Sequence, residues 1–356
     1  MSPRGPARLP AFAGPVPLAI LLTAGIVGVV AVVIAASGFD VAPAFAALVR
    51  GAVGSPYAIM SATLVRATPL ILAGLAVAIA FQGGILNIGA EGQILAGAAL
   101  GTTVTLLWGR TLGGGAVILA LLVAAAGGAA WAAIPAWLRR RFGVLEVIST
   151  IMMNFIALYG VGYLVRGPLQ EPTRIYPQSP TIPAATQLPM LVPGTRLHVG
   201  FGIAVLAALI AWVAIRSHAA GFRLRVVGAS PSAAASAGQV DVPAAITRAF
   251  LVSGALAGLA GGIEVTGVTY ALYENISPGY GYTAIAVALL AGLHPGLVII
   301  SGICIGALEA GAAAMQREAG VPLVVVNVVE ALIILAIVGA RAAIARRERT
   351  TVEAGT

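Results

Sequence analysis

The sequence predicts an all-α polytopic membrane protein, and three observations support that fold class. Hydrophobic residues make up 60% of the 356 residues and charged residues only 9%, whereas a soluble domain has about 25% charged residues. Long apolar stretches alternate with short polar segments. The arginines gather in those polar segments and near the chain ends, as topology signals do. We therefore expect a single transmembrane domain over residues 14–340, with polar tails at 1–13 and 341–356.

The first apolar stretch, 16–36, predicts a spanning helix rather than a cleaved signal peptide. It is longer than the apolar core of a signal peptide, which has roughly 7–15 residues, and no convincing A-x-A cleavage site ends it. The next stretch, 42–53, is interrupted by Arg50, so we interpret it as an interfacial helix.

Three further spans complete the first half of the chain. One starts near Pro56 and continues to residue 81 past Pro69, which should kink it. The other two are predicted at 94–108 and 116–138. The last of them stops at three consecutive arginines, which form the strongest cytoplasmic marker in the chain.

The second half combines further spans with two long polar loops. Spans are predicted at 146–166, 200–215, 249–270, 283–310 and 322–340, of which the fourth is broken at His294-Pro295-Gly296. Loop 167–198 carries seven prolines, which prevent helix and favour extended or docked chain. Loop 216–248 carries four arginines. Counting the broken segment as two gives about ten spans, with both termini on one side.

The distribution of arginines predicts which side that is. If the two tails, the triple arginine and loop 216–248 face the cytoplasm, that side holds 13 arginines and the other side holds 7. Positive charge favours the cytoplasmic side of short loops. We therefore expect cytoplasmic termini, a cytoplasmic loop at 216–248 and an extracytoplasmic loop at 167–198.

A polar, glycine-rich interruption at 81–93 separates two apolar segments. It contains Asn87, Glu91 and Gln93 among four glycines, which weaken any helix through it. Broken backbone at membrane depth is tolerated where protein or a water-filled cavity satisfies it, and transporters use such segments for substrate sites. An ordinary glycine-rich turn between two spans is the equally open alternative.

A second interruption, at 273–285, leads directly into the next predicted span. It contains Tyr280 and Tyr282 among glycines. Their rings could stack on a planar ligand, or they could be ordinary interfacial residues. Two interruptions, one in each half, point to a midplane site in a transporter with an inverted repeat.

The cytoplasmic loop contains a predicted short helix of about two turns. Ser230 suits the N-cap, Pro231 the first helical position and Gly238 the stop after it. The segment is rich in alanine around Ala234 and almost uncharged. Such a helix could seat in the groove of a partner protein, or it could simply connect two spans.

Several function classes are excluded or disfavoured by residue types. All 20 basic residues are arginine, so the chain lacks the lysine that a phosphate-binding P-loop requires. If ATP drives this protein, another chain hydrolyses it. No His/Cys/Asp cluster has metal-ligand spacing, no nucleophile–base pair is evident, and no basic face with aromatics suggests nucleic acid. Glu91, Glu264, Glu309 and Glu330 lie in apolar runs, where they could relay protons or make structural hydrogen bonds.

Several stretches resemble those of ABC-transporter permeases. The resemblance is to the large branched-chain amino acid/ribose/nucleoside permease family, closest to its simple-sugar and nucleoside branch. It is carried, in the same order along the chain, by SPYAI at 55–59, TLVRATPLILAG at 63–74, LNIGAEGQ at 86–93, RFGVLEVISTIMMN at 141–154, VGASPSAAASAG at 227–238 and GYGYTAIAVALLAG at 279–292. The chain departs from the family pattern at 239–241 and at His294.

The resemblance implies a non-catalytic subunit of an importer in the bacterial plasma membrane. Its expected partners are an ATP-binding-cassette ATPase that binds the ATP, a second permease subunit in a heterodimer, an extracytoplasmic substrate-binding protein and membrane lipid. The chain itself needs no cofactor. Residues implied to border the substrate pathway are Asn87, Glu91, Gln93, Asn154, Tyr280 and Tyr282; those implied to couple to the ATPase are Gly228, Ser230, Pro231, Ala234 and Gly238.

The implied solute is a nucleoside or a simple sugar, with amino acids also carried within the family. A rival from another class is a stand-alone secondary transporter that couples uptake to protons through Glu91, Glu264 and Glu309. The rival predicts uptake by this chain alone, abolished by a protonophore.

Overall fold

The computed structural model describes residues 15–236 and 240–322, together with a few positions between 324 and 339. Most of these residues are helical. The β-structure among the described residues consists of two isolated antiparallel bridges, Gln178 with Tyr273 and Met190 with His198. The predicted all-α class is confirmed.

Twelve helices can be followed through the described residues. In chain order they are α1 Pro15–Ala36, α2 Val41–Val53, α3 Pro56–Gln82, α4 Ala90–Leu112, α5 Gly115–Phe142, α6 Glu146–Arg166, α7 Val199–Ser217, α8 Ala219–Ala229, α9 Pro231–Ser236, α10 Val242–Thr269, α11 Tyr280–Leu290 and α12 Pro295–Ala319. By length and composition, six of these described helices could cross a membrane, namely α3, α5, α6, α7, α10 and α12. The chain is therefore a multi-pass membrane protein.

The larger of two compact units, residues 52–310, is built around α3. Ser55 caps this helix, since its Oγ accepts a hydrogen bond of 3.0 Å from the Ala58 amide, and Pro56 occupies the first position. The helix passes through a π-turn at Ile59–Thr63 and continues past Pro69 to Gln82. Residues 67–80 are all buried, so the other helices of the unit surround α3.

Glycines allow three helices of this unit to pack backbone against backbone. Gly97 of α4 and Gly128 of α5 both lie against Gly258 of α10, and neither leaves room for a Cβ. The same holds for Gly261 against the Ile94 carbonyl. Small residues at four-residue spacing permit this close approach in membrane helices.

Residues 167–198 form a docked loop whose helical content is a single 3₁₀ turn at Ala184–Thr186. Three of its amides donate to carbonyls in the last turn of α10 and just after it: Leu188 to Thr266 at 2.8 Å, Ile182 to Tyr270 at 2.8 Å and Ser179 to Leu272 at 2.7 Å. The prolines remove donors and leave these amides to fix the register. The extended, docked conformation predicted from proline density is confirmed.

Three segments differ from the helix boundaries predicted from hydropathy. The helix α12 continues to Ala319 rather than ending at residue 310, because its last turns bury Ala312 and Met315. α4 begins at Ala90 rather than near residue 94, because a polar network described below satisfies Glu91 and Gln93 inside its first turn. The segment predicted as a loop at 216–248 is mostly helical: α8 follows α7 almost directly, and α10 begins at Val242. Its short predicted helix is confirmed as α9, and Gly238 lies outside the described residues.

The smaller unit comprises the chain up to Gly51 and from Gly311 onward. Its buried cluster joins α1, α2 and the end of α12 through Val30, Ile34, Ala44, Ala47, Ala312, Met315 and Val321. Arg50 and Glu318 form an exposed ion pair of 2.9 Å. The helix α2, with 13 residues, is about 20 Å long and too short to cross the ~30 Å hydrocarbon core.

The last predicted span, 322–340, lies mostly outside the described residues, as does Glu330.

Candidate substrate pathway

The interruption between α3 and α4 is a turn held by its own backbone. The chain leaves the helix at Gly83 and Gly84, and Gly84 has a φ of 71°, which favours glycine. The Ile85 amide donates back to the Ala80 carbonyl at 3.0 Å. The Gln82 side chain reaches across and donates to the carbonyl of Leu293, in the turn between α11 and α12. The predicted interruption therefore contacts the break at His294-Pro295-Gly296.

Asn87 is fully buried and ties this turn to two helices. Its Nδ2 donates to Ser253 Oγ of α10 at 2.9 Å and to Gln93 Oε1 of α4 at 3.2 Å. Its Oδ1 accepts from the Gly89 amide at 2.9 Å and from Gln93 Nε2 at 3.2 Å. Both predicted residues are thus hydrogen-bonded to each other, with every bond made inside the protein.

Asn154 of α6 joins the start of α4 to the second interruption. Its Oδ1 accepts from the Gly92 amide at 2.8 Å, and its Nδ2 donates to the Ile88 carbonyl at 2.9 Å. The same nitrogen lies 3.3 Å from the hydroxyl of Tyr282. Asn154 is 2% exposed and Tyr282 is 45% exposed, so Tyr282 presents its ring outward from this network.

Glu91 and Gly281 bring the starts of α4 and α11 into direct contact. The Glu91 carboxylate accepts a hydrogen bond of 2.7 Å from the Gly281 amide, in the first turn of α11. A carboxylate is stabilised there because the amides at a helix start carry partial positive charge. A Cβ at Gly281 would overlap the Glu91 backbone, so only glycine permits this approach. The two interruptions predicted from sequence therefore meet.

Five of the six predicted pathway residues are buried in this arrangement. Tyr280 begins α11 and is 8% exposed, in line with Asn87, Glu91, Gln93 and Asn154. Each of the amides and the carboxylate has a hydrogen-bond partner. They hold two helix starts and α10 together, and movement of one start requires this network to rearrange.

The segment that the resemblance implies to couple to the ATPase, residues 228–238, contacts the same interruption through Gly228. Gly228, near the end of α8, packs so closely on the Gln82 carbonyl that it has no room for a Cβ, and its Cα would be 3.2 Å from a Cβ on Gly84. After Ser230, whose Oγ accepts from the Ala233 amide at 3.3 Å, Pro231 starts α9. Ala234 faces inward and is fully buried. The exposed face of α9 is formed by Pro231, Ser232, Ala233, Ala235 and Ser236.

A second group of charged residues lies around the end of α10. The sequence did not predict that these residues come together. Glu264 is 5% exposed, and its carboxylate lies within electrostatic range of Arg66 of α3 and Arg196 of loop 167–198. Tyr280 lies within range of Glu264, Arg66 and Glu309. Arg66 was the available signal, because an arginine within a spanning helix marks a functional position by default.

His198 is a further buried residue that the sequence did not single out. It precedes α7, is fully buried, and neither ring nitrogen has a hydrogen-bond partner in the described part of the chain. Gly267 and Gly200 both lie against its imidazole. Burial, together with nearby Arg196, lowers the pKa of His198 from 6.5 to about 4. The imidazole is therefore neutral at physiological pH.

Comparison with known proteins identifies the class to which these features belong. Residues 59–338, well over half of the chain, match the family described as branched-chain amino acid transport system / permease component. The guanosine ABC transporter permease protein NupP of Bacillus subtilis is 40% identical over 312 residues, which cover 86% of this chain and 88% of that protein.

Two further relatives extend the comparison. The glucose ABC transporter permease protein TsgB13 of Haloferax volcanii is 36% identical, covering 78% of this chain and 75% of its own length. The nucleoside ABC transporter permease protein NupB of Lactococcus lactis is 30% identical, covering 90% and 89%. No solved structure matches the chain significantly.

The described part of the chain is a multi-pass helical membrane protein in which two interruptions meet at a buried polar network. This chain belongs to the branched-chain amino acid transport permease family, and its similarity to nucleoside and sugar ABC transporter permeases confirms the resemblance found in its motifs.

Proposed function

We propose that this chain is the permease subunit of an ABC importer that moves a nucleoside or a simple sugar across the plasma membrane by alternating access. The relatives named for guanosine, glucose and nucleosides support that solute class. The observation that carries the mechanism is the contact of Gly228 with Gln82 and Gly84. It connects the coupling segment directly to the backbone of the interruption.

The proposed mechanism transmits movement through this contact. Closure of the partner ATPases displaces α8 and α9, and Gly228 carries the displacement into the turn at 82–84. The turn is hydrogen-bonded through Asn87 to α10 and leads into α4, whose Glu91 accepts a hydrogen bond from the Gly281 amide at the start of α11. Two arrangements of these rigid helices would open the pathway alternately to each side. ATP binds to and is hydrolysed on the partner, and this chain contributes no catalytic residue.

In the proposed pathway the polar network borders the route of the solute. Tyr282 is the exposed member, and Tyr280, Asn154, Glu91, Gln93 and Asn87 lie behind or beside it. Rearrangement of their hydrogen bonds during the cycle would expose amide and carboxylate groups to a polar solute. A solute with hydroxyl groups can replace those internal bonds one for one.

The proposed assembly includes a second, related permease subunit, two ATPase subunits and an extracytoplasmic substrate-binding protein. We further propose about ten spans in an inverted repeat, both termini in the cytoplasm, and the substrate-binding protein docking on the side of loop 167–198. The six long helices and two of the shorter apolar helices, Val27–Ala36 and Tyr280–Leu290, support eight of these spans, and the others rest on the hydropathy of the sequence. The excess of arginines in the tails and in loop 216–248 supports the orientation.

Purification of the tagged chain from its native membrane in a mild detergent tests the assembly. We expect mass spectrometry to find a P-loop ATPase and a second permease in stoichiometric amounts. A chain that repeatedly purifies alone, and that takes up solute in a way abolished by a protonophore, would contradict the proposal and support the proton-coupled rival.

A further inference from the structure

A groove with a volume of about 630 Å³ lies in the larger unit between α7, α8 and α10. Ligand sites in proteins usually enclose roughly 300–1,000 Å³. The wall of the groove is formed by small and branched aliphatic side chains, among them Ala207, Ala211, Ala245 and Leu256. Ile210 of α7 and Val252 of α10 also line it and are 59% and 48% exposed. Because both helices are long and apolar enough to span a membrane, the groove opens towards lipid.

Contacts with the end of α7 fix the position of α8 beside this groove. His218 separates the two helices with extended backbone, at φ −106° and ψ 150°. Gly221 of α8 then packs on the Ile215 backbone with no room for a Cβ. Arg225 donates a hydrogen bond to the Ile215 carbonyl, at the end of α7. These contacts lie at one end of the groove and leave its apolar wall uncovered.

Two of the residues that line the groove are arginines, Arg223 of α8 and Arg248 of α10. Both are exposed, and neither forms an ion pair or a side-chain hydrogen bond with another described residue. Asp241 also lines the groove, but its Oδ1 accepts a hydrogen bond of 3.0 Å from the Ala244 amide as the N-cap of α10. Two arginines and one aspartate give these lining residues a net charge of +1.

The depth of the groove in the membrane follows from its position along α10. Arg248 lies six residues after Val242, or about 9 Å from the start of the helix. Arginine side chains near the ends of spanning helices reach towards the headgroups of the bilayer. Leu256 lies eight residues further, about 12 Å deeper along the same helix. The groove therefore has a basic end at the membrane surface and an apolar end in the hydrocarbon region.

This combination suits an amphiphile with an anionic phosphate group. A guanidinium binds phosphate oxygens through two parallel hydrogen bonds, which an ammonium group cannot make. Basic pockets between transmembrane helices bind the headgroups of anionic lipids. An acyl chain of the same molecule would cover the apolar wall, whereas a soluble anion would leave that wall uncovered.

We propose that the groove between α7, α8 and α10 is a binding site for an anionic phospholipid, with Arg223 and Arg248 contacting the phosphate and an acyl chain lying along the wall. The site goes beyond the proposed function, because it does not depend on which solute is carried. It also gives two of the four arginines of loop 216–248 a specific ligand in addition to their role as topology signals.

Native mass spectrometry of the complex purified in mild detergent tests the proposal. The probes are dioleoylphosphatidylglycerol and dioleoylphosphatidylcholine, which have the same acyl chains and differ in net charge. We expect the complex to bind the phosphatidylglycerol about tenfold more tightly, since each arginine near the surface contributes roughly a fivefold preference for anionic lipid. The phosphatidylglycerol should also raise the thermal midpoint of the complex more than the phosphatidylcholine does.

Variants of the lining residues locate the binding site. Arg223→Gln and Arg248→Gln should each weaken phosphatidylglycerol binding by about fivefold, and the double variant should lose the preference over phosphatidylcholine. Ala211→Phe fills the wall and should reduce binding of both lipids. The matched control is Arg216→Gln, which removes an exposed arginine at the end of α7 that does not line the groove and should change neither affinity. Equal thermal midpoints in lipid-free detergent show that the arginine variants are folded.

The contrary outcomes distinguish the other possible occupants of the groove. An unchanged lipid preference in the double variant, or an equal loss in Arg216→Gln, would overturn the site in favour of general surface charge. A rise in thermal midpoint with inorganic phosphate equal to that with phosphatidylglycerol would show a site for soluble anions and overturn the lipid. Loss of the ATPase or the second permease from the double variant, with lipid preference intact, would show a protein interface instead. Uptake independent of ATP would overturn the proposed function and leave the lipid result standing.

Discussion

At the scale of single residues, the chain uses amides and carboxylates to hold broken helices together inside an apolar protein. Asn87 uses both ends of its amide, and Glu91 caps the first turn of another helix. In an apolar environment, loss of one of these hydrogen bonds leaves a buried donor or acceptor unsatisfied, which destabilises the protein by roughly 1–3 kcal/mol. Sequence reasoning selected these residues as exceptional but could not pair them, because Ser253 and Gly281 are 166 and 190 positions away from their partners.

Removing the Asn87 amide should destabilise the junction as well as impair transport. Asn87→Ala leaves Gln93 and Ser253 buried with fewer partners, so we expect a loss of about 2–6 kcal/mol in stability, taken as two such groups. A lower midpoint in thermal unfolding of the purified complex would show it. Ser253→Ala, which removes one bond, is the matched control and should have the smaller effect. Equal midpoints for Asn87→Ala and wild type would contradict the network's structural role.

Glu91→Gln removes the negative charge at the contact between α4 and α11 but keeps the size and shape of the side chain. The amide oxygen can still accept from the Gly281 amide, so assembly should persist, but the favourable charge at the start of α11 is lost. We expect slower uptake in proteoliposomes at unchanged complex yield. If uptake and its ATP dependence match wild type, Glu91 is only a structural acceptor.

His198 makes the stability of loop 167–198 depend on pH. Its pKa is lowered to about 4 in the folded protein, against 6.5 when the loop is released, so the released state binds more protons between these values. Its contribution is complete above pH 6.5 and is lost as pH falls to about 4, by roughly 3 kcal/mol in all. Hydrogen exchange of the Leu188 and Val199 amides should accelerate over this window.

A variant identifies the titrating group. His198→Phe keeps an aromatic ring between Gly200 and Gly267 and removes the proton, so it should flatten the pH dependence between 6.5 and 4. An equally steep dependence in this variant would assign the effect to another group.

At the scale of elements, hydropathy predicted most of the helices. The start of α4 and the helix α8 were missed for physical reasons. Tertiary hydrogen bonds admit Glu91 and Gln93 into a helix start that hydropathy rejects. The segment 219–229 carries arginines and lacks an apolar period, and its glycine contact with the interruption exists only in three dimensions.

Gly228→Ala tests whether the contact between α8 and the interruption transmits movement. A Cβ there would overlap the Gln82 carbonyl, so the two backbones must separate. We expect solute-stimulated ATPase activity to fall severalfold while basal hydrolysis by the partner remains. The matched control is Gly202→Ala in α7, where a Cβ meets nothing within 4 Å. Full coupling in Gly228→Ala would remove the contact from the mechanism.

The two faces of the short helix α9 allow ATPase docking to be tested separately from folding. Ala234 is buried within the chain, whereas Ala235 is exposed. Ala235→Glu should weaken association with the ATPase at unchanged thermal stability of the isolated chain. Ala234→Glu places a charge in a buried position and should lower that stability as well. If Ala235→Glu binds the ATPase normally, α9 is a connector and not a docking helix.

At the scale of the whole molecule, one continuous series of contacts runs from the cytoplasmic loop to the polar network. The exposed face of α9 would meet the ATPase, and Gly228 contacts the interruption. The interruption is hydrogen-bonded to the middle of α10 and to the start of α11, which would border the proposed pathway. Composition predicted the membrane class, and the motifs predicted the family. The route itself could not be predicted, because it depends on backbone contacts between segments distant in the chain.

ATP-driven uptake by the purified assembly is the measurement that tests this account most directly. The chain, its partner permease and ATPase, and the substrate-binding protein would be reconstituted in proteoliposomes with ATP on the ATPase side. We predict uptake of labelled guanosine or glucose that requires ATP, the substrate-binding protein and a catalytically intact ATPase, and that is insensitive to a protonophore. Uptake by this chain alone, driven by a proton gradient and unaffected by ATP, would contradict the account.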